Sequence, residues 1–148
     1  MTAGAATAGA ATAGAAPDDR MHHGDGRQEK LDGCAGLLVR LSRGPGMKLY
    51  ALGDLHLGHR ANREALAAWR PHREDWLILA GDVGETLEHL ELGVRAATER
   101  FAQVFWVPGN HELWSHRDGA LRGVAKYEAT LAVCRRFGVV TPEDPYVV

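Results

Sequence analysis

The sequence lacks the features that would point to a membrane protein, a disulfide-rich secreted protein or a nucleic-acid coat. No run approaches the roughly 18 consecutive apolar residues of a membrane-spanning helix. Only two cysteines occur, Cys34 and Cys134; they are 100 positions apart without zinc or redox spacing, so a reduced cytoplasm is the expected compartment. With 17 basic and 19 acidic residues the net charge is −2, which argues against a protein whose main work is coating nucleic acid or anionic lipid.

The first sixteen residues lack any large apolar side chain after Met1. The pentad T-A-G-A-A occurs three times in succession at positions 2–16. Such a tract cannot offset the entropy of ordering its backbone. A polar, glycine-rich stretch follows at 17–30, and a short apolar run at 37–41 ends at the breaker G-P-G, positions 44–46. Residues 1–46 are therefore predicted to be a low-complexity, disordered N-terminal extension, and the strand pattern that opens at Met47 suggests that residue as the natural start.

From residue 47 to 148, short apolar runs alternate with helical patterns. The runs are flanked by turn formers, which suits strands covered on both faces. Predicted strands span 47–53, 76–80 and 104–107; predicted helices run from Asn62 as N-cap to Pro71, from about 86 to 100 and from about 124 to 137. Strand–helix alternation implies right-handed crossovers and a largely parallel sheet, so the predicted fold class is α/β.

Each predicted strand ends in a glycine followed by a hard oxygen ligand. The sequences are G-D-L-H at 53–56, G-D-V-G-E at 81–85 and P-G-N-H-E at 108–112. Asp54, Asp82 and Asn110 follow one another at equal intervals of 28 residues, which is one strand–helix–strand length. Because ligands collect at the carboxyl ends of strands in open α/β sheets, these acidic, amide and imidazole groups are expected in one volume. Divalent metals of the Mn, Fe, Zn or Ni class would neutralise their mutual repulsion.

These three motifs, in this order, make the predicted α/β region resemble the first half of the calcineurin-like metallophosphoesterase superfamily. The family signature reads D-x-H, G-D-x-x and G-N-H-[D/E], followed by two further histidine motifs. The resemblance implies the N-terminal half of an αββα sandwich that binds two divalent metal ions. It assigns Asp54 and His56 to the first ion and Asn110 to the second, with Asp82 bridging the two. His111 then stands beside the scissile bond as general acid or hydrogen-bond donor.

The implied reaction is hydrolysis of a phosphomonoester or phosphodiester substrate by a hydroxide that the two metal ions activate. The sequence lacks the later histidine motifs, so the alternative is a truncated, catalytically inactive remnant or a single-metal binding module. A complementing chain that supplies the missing histidine ligands is a third possibility. The segment G-D-V-G-E does not continue with D-R-G, which disfavours a phosphoprotein substrate of the Ser/Thr phosphatase kind.

Two residues of the third motif region are left with open alternatives. Glu112 is expected either to orient His111 or to lie on the surface. Trp114 either walls a substrate pocket or packs against the protein.

Half of a two-sheet sandwich also leaves one sheet face uncovered, at a cost of about 25 cal/mol per Å² of exposed apolar area.

Overall fold

Strands and helices alternate in the computed structural model, which describes residues 27–28, 38–40, 46–115 and 120–145. The strands are β1 (Arg27–Gln28), β2 (Leu38–Arg40), β3 (Leu49–Leu52), β4 (His72–Ala80) and β5 (Phe101–Val107). The helices are α1 (Arg60–Ala67), α2 (Leu87–Thr98), α3 (Asn110–Leu113) and α4 (Gly123–Arg136). The part of the chain after residue 46 therefore reads strand, helix, strand, helix, strand, helix, helix.

The strands form a single sheet in the order β1-β2-β3-β4-β5, in which β3, β4 and β5 run parallel. Leu52 pairs with Leu79, and Ala80 pairs with Val107, so the carboxyl ends of these three strands lie at one edge of the sheet. Helices connect β3 to β4 and β4 to β5. The α/β class is confirmed, and each predicted motif follows the end of one of three adjacent parallel strands.

The short strands β1 and β2 lie within the segment predicted to be a disordered extension. β2 pairs antiparallel with β3, Leu38 opposite Leu52, and β1 pairs antiparallel with β2. The structure differs from the expectation at these residues because the edge of β3 offers backbone groups with which an apolar segment can pair. The rest of residues 1–45 lies outside the described residues, and the limit drawn at residue 46 stays a prediction.

Strand β4 begins at His72, well before the apolar run that predicted it. The segment 72–75 is polar, but tertiary contacts hold it in the sheet. The imidazole ring of His72 stacks on the ring of Phe101 with centroids 5.1 Å apart. The carboxylate of Asp75 is buried and accepts a hydrogen bond from the backbone N–H of Lys48 at 2.9 Å. These contacts, which the sequence pattern does not contain, lengthen the strand.

Helix α1 begins at Arg60, so the prediction that Asn62 caps it is wrong. The Asn62 side chain instead donates hydrogen bonds to the carbonyl groups of Leu55 and His56, at 2.8 and 3.3 Å, and ties the helix to the loop after β3. The predictions of α2 and α4 are confirmed to within two residues. Among the described residues, no helix combines the length and the apolar composition that crossing a bilayer requires.

The two faces of the sheet have different surroundings. One face packs with the helices in a single buried cluster, to which the strands contribute Tyr50, Leu52, Leu77, Leu79, Val104 and Trp106. The opposite face carries side chains that are half-buried or exposed: Leu49, Ala51, Trp76, Ile78, Phe105 and Val107. Within the described residues, this apolar face is only partly buried, as the half-sandwich expectation predicts.

The buried thiol of Cys134 provides a test of this core. Burial, with a smaller contribution from the negative charge of Glu112, raises the pKa of the thiol to about 12. The neutral thiol therefore stabilises the fold fully below the unfolded-state pKa near 9, and this contribution is lost as the pH rises toward 12. We expect a Cys34→Ser variant to react with a chromogenic thiol reagent at pH 8 only after urea is added. Prompt reaction of the native protein would contradict the buried position of Cys134.

Candidate metal centre

The loops that follow β3 and β4 run side by side beyond the ends of their strands. The backbone N–H of His56 donates to the carbonyl of Asp82, and that of Leu57 donates to the carbonyl of Val83, both at 2.9 Å. Leu57 and Val83 have no exposed surface, so each loop is anchored in the core by an apolar side chain. The parallel pairing of the sheet thus continues into the loops and fixes the positions of His56 and Asp82.

Backbone strain is concentrated in these two loops. Asp54, His56 and Asp82 have φ values of 58°, 42° and 55°, in the left-handed region. They are the non-glycine residues with positive φ in the part of the chain that the structure describes. Each such conformation costs about 1–2 kcal/mol for an L-residue. Strain of this kind persists where the surroundings over-determine the backbone, and it is common at functional sites.

Three potential metal ligands meet above this edge of the sheet. One ligand atom from each of His56, Asp82 and His111 lies within 4.8 Å of the other two. The rings of His56 and His111 are in edge contact, with centroids 4.6 Å apart. The backbone N–H of His111 also donates to Oδ1 of Asp82 at 3.0 Å, which joins the loop after β5 to the loop after β4. Two imidazoles and a carboxylate form a donor set that suits a borderline divalent cation.

Two glycines allow the loops after β4 and β5 to approach this closely. A Cβ on Gly109 would lie 2.2 Å from Oδ1 of Asp82 and 2.5 Å from its backbone nitrogen. A Cβ on Gly81, where φ is +81°, would lie 2.7 Å from the backbone of Gly109. Any side chain at either position would therefore push Asp82 away from His111.

A buried carboxylate holds the same two loops together. Glu112 is 1% exposed, and its carboxylate accepts hydrogen bonds from four backbone N–H groups. The donors are Asp82 at 3.0 Å, Val83 at 2.5 Å, Gly84 at 3.3 Å and Gly109 at 2.8 Å. Both sequence-based alternatives for Glu112 are wrong, because the residue is not on the surface and its oxygens bind backbone amides rather than the His111 ring.

The side chain of His111 lies between a carboxylate and an indole. Oε1 of Glu85 is 3.4 Å from Nδ1 of His111, close enough for electrostatic attraction, although the geometry is not that of a hydrogen bond. The centroid of the Trp114 ring is 3.8 Å from that of the imidazole. No role for Glu85 follows from the motifs, and its position as the last residue of the second motif is the signal that points to it. Trp114 is 42% exposed, which favours the pocket-wall alternative over packing.

The remaining two predicted ligands occupy the same edge with fewer contacts. Oδ1 of Asp54 lies 3.6 Å from Nε2 of His56, and the Asp54 side chain is 68% exposed. Asn110 is exposed and begins α3, between Gly109 and His111. The metal-binding roles of both residues stay predictions, as do the roles assigned to the other three.

A cavity of about 520 Å³ opens beside these residues. It is lined by His56, Gly58, His59, Gly84, Glu85 and His111. This volume lies within the range of small-molecule sites, and both histidines of the ligand group face it. The cavity is therefore large enough for a phosphate ester whose phosphorus lies next to the metal ligands.

Comparison with known proteins identifies the family. The family model described as calcineurin-like phosphoesterase matches residues 47–143, which is more than half of the chain. The chain belongs to the calcineurin-like phosphoesterase family. The match confirms the resemblance that the three strand-end motifs carry. Phosphoesterases of this family generally depend on two metal ions, and His56, Asp82 and His111 provide a possible metal site here.

Within this family the chain is similar to a mycobacterial enzyme. It is 42% identical over 103 residues to the acyl-carrier-protein phosphodiesterase PptH of Mycobacterium tuberculosis, covering 68% of this chain and 32% of that protein. The crystal structure of phosphopantetheinyl hydrolase PptH from the same organism matches with a TM-score of 0.64 and 42% identity, over 72% of this chain and 39% of that one. The chain therefore spans about a third of the length of the curated phosphoesterase that it matches.

The hydrogen bonds of Glu112 predict that a change at this residue weakens metal binding without removing a proposed metal ligand. In a Glu112→Gln variant only one oxygen remains to accept from the backbone amides, and the new NH₂ group faces N–H donors. We expect the variant to bind Mn²⁺ about 10- to 100-fold more weakly, because residues behind metal ligands commonly have effects of this size. Isothermal titration measures the affinity, and urea unfolding measures the accompanying loss of stability.

The matched control is Glu91→Gln, which removes a carboxylate that pairs with Arg95 and Arg136 on the helix surface, at 2.6 and 2.7 Å. We expect this variant to keep the Mn²⁺ affinity of the unmodified chain. Equal Mn²⁺ affinities for the two glutamine variants would show that Glu112 does not position the ligands.

Proposed function

We propose that this chain provides the metal-binding part of a metal-dependent phosphodiesterase. The observation that carries the proposal is that two proposed metal ligands, His56 and Asp82, and the proposed acid, His111, have polar atoms within 4.8 Å of one another at the carboxyl ends of parallel strands. In the proposed site Asp54 and His56 hold one metal ion, Asn110 holds a second and Asp82 bridges them. His111 acts on the substrate as general acid or hydrogen-bond donor.

The substrate class that we propose is a phosphodiester of the phosphopantetheinyl type. Its support is the 42% identity to an acyl-carrier-protein phosphodiesterase over 103 residues. All five proposed site residues lie within the family match at 47–143. When bound, the metal ions would lower the pKa of a coordinated water and neutralise negative charge on the phosphate oxygens. The proposal places the enzyme in the cytoplasm, where Cys34 and Cys134 stay reduced.

Residues of the chain itself orient the general acid. Nδ1 of His111 is buried on the side of Glu85, which leaves the opposite edge of the ring for the substrate. Oε1 of Glu85, 3.4 Å from Nδ1, places a carboxylate beside this side of the ring. Trp114 covers one side of the imidazole and limits its rotation. The ring is thus held for proton transfer to a departing alkoxide in the adjacent cavity.

A second candidate function is that of a single-metal binding module without turnover. The observation that favours it is that three described donors suffice for one ion, whereas each of two ions would require further ligands. In the catalytic proposal such ligands come from polypeptide beyond the 47–143 match, in the same protein or in a complementing chain. Metal stoichiometry measured with those further ligands present separates the candidates, since the catalytic centre then binds two ions and the module still binds one.

Asp82→Asn tests the proposed bridging role. Asparagine keeps the Oδ1 that accepts from the His111 N–H but removes the negative charge that would be shared by two cations. We expect Mn²⁺ affinity to fall at least about tenfold, with the unfolding transition in urea little changed. In a full-length version that carries the further ligands, we expect hydrolysis of bis(p-nitrophenyl) phosphate to be lost.

Asp144→Asn is the matched control. Asp144 is also a carboxylate that accepts hydrogen bonds, here from Thr141, but neither residue lines the metal-site cavity. That variant should retain metal binding. Undiminished Mn²⁺ affinity in Asp82→Asn would overturn the assigned role. One ion without turnover in the presence of the further ligands would favour the binding module.

A further inference from the structure

A second groove, of about 390 Å³, opens next to the metal-site cavity. Residues 85–88, at the start of α2, form one wall, and Trp114 and Lys126 lie on the other. We call it the Trp114 groove. Glu85 lines both the groove and the metal-site cavity, and the Trp114 ring contacts the ring of His111. A molecule whose phosphate occupies the metal site can therefore extend directly into this groove.

Lys126 places a buried ammonium group at the groove. The residue is 8% exposed, and its Nζ donates to the backbone carbonyls of Glu85 at 2.9 Å and Trp114 at 3.0 Å. An ammonium group has three hydrogens, and within the described residues the third finds no acceptor and the charge finds no carboxylate in ion-pair contact. Because burial of an incompletely paired charge is costly, this hydrogen is available for an acceptor on a ligand.

Two large apolar side chains of the groove lining are exposed. Trp114 is 42% exposed and Leu121 is 47% exposed. The hydroxyl of Ser115 donates to the carbonyl of Leu121, which holds this wall in position. A cluster of exposed large apolar side chains beside a polar site is typical of a ligand-binding surface.

The opposite wall carries the carboxylates of Glu85 and Glu88, both in exposed residues. These negative charges disfavour a second phosphate or another anion in the groove. They can accept hydrogen bonds from N–H groups, while Lys126 can donate to a carbonyl and Trp114 can pack against methylene or methyl groups. The lining as a whole fits a neutral aliphatic chain that carries amide bonds.

We propose that the Trp114 groove binds the pantetheinyl arm of a phosphopantetheinyl substrate while the metal site holds its phosphate. This inference rests on the proposed function. The arm is an aliphatic chain with amide bonds and a branched dimethyl carbon. Its carbonyl accepts from Lys126, its N–H donates to Glu88, and its methyl groups pack on Trp114 and Leu121. The groove then determines which phosphodiesters are recognised, and the metal ligands determine the reaction.

The test is an NMR titration of the full chain with S-methylated pantetheine, in which the thiol is blocked and no phosphate is present. We expect saturable shifts of the Trp114 indole N–H and of the Leu121 methyl groups. Trp114→Ala and Leu121→Ala should each weaken binding at least about tenfold, since each removes apolar contact area. Leu92→Ala truncates an exposed leucine of α2 outside the groove and should leave the affinity unchanged.

Absence of saturable shifts in the unmodified chain would overturn the proposal, as would equal affinities for Leu121→Ala and Leu92→Ala. Lys126→Met removes the ammonium group and should weaken binding of the arm if the variant's spectrum shows a folded chain. The comparison of Leu121→Ala with Leu92→Ala decides the proposal whether or not Lys126→Met folds. The titration contains no metal ion and no phosphate. A chain that binds Mn²⁺ but not the arm would therefore refute this inference alone, and a chain that binds the arm but not Mn²⁺ would refute the proposed function.

Discussion

The geometry of the metal centre depends on the buried carboxylate of Glu112. A carboxylate taken out of water is strongly unfavourable unless hydrogen bonds replace its hydration. Here four backbone N–H groups do so, at 2.5 to 3.3 Å, and none of these groups belongs to a regular strand ladder. The same contacts therefore satisfy amides that the turns leave without partners and stabilise the charge. Because the donors come from the loops after β4 and β5, the carboxylate also fixes the distance between Asp82 and His111.

The strained residues follow from the same arrangement. Along the loop after β3, Leu55 and Leu57 point into the core and are at most 2% exposed, while Asp54 and His56 lie at the polar edge. A left-handed conformation at Asp54 and His56 lets the chain alternate in this way beyond the strand. The two apolar anchors oppose relaxation of the backbone, and the hydrogen bonds to the loop after β4 add to their effect. Core packing therefore stabilises a ligand geometry that the isolated loop would not adopt.

The features that could be predicted from the sequence are those that depend on hydrophobic periodicity and on the residues at the ends of strands. Apolar runs and helical spacing located β3, β4, β5, α2 and α4, and the glycine–acid pairs located the edge where ligands gather. It did not predict contacts between side chains and distant backbone. The burial of Glu112 depends on amides about 30 residues away, and the beginning of β4 depends on the ring of Phe101 and on the backbone N–H of Lys48. Such partners leave no local pattern, and tertiary contacts override local propensity where they occur.

The uncovered sheet face and the metal centre are physically independent. The anchors of the ligand loops, Leu57 and Val83, belong to the cluster on the helix-covered face, whereas Trp76, Ile78 and Phe105 lie on the opposite face. None of the hydrogen bonds described for the loops involves a side chain of the uncovered face. Covering that face would add stability in proportion to the apolar area removed from water. The positions of His56, Asp82 and His111 do not depend on that gain, since the contacts that set them lie within the described residues of the family match.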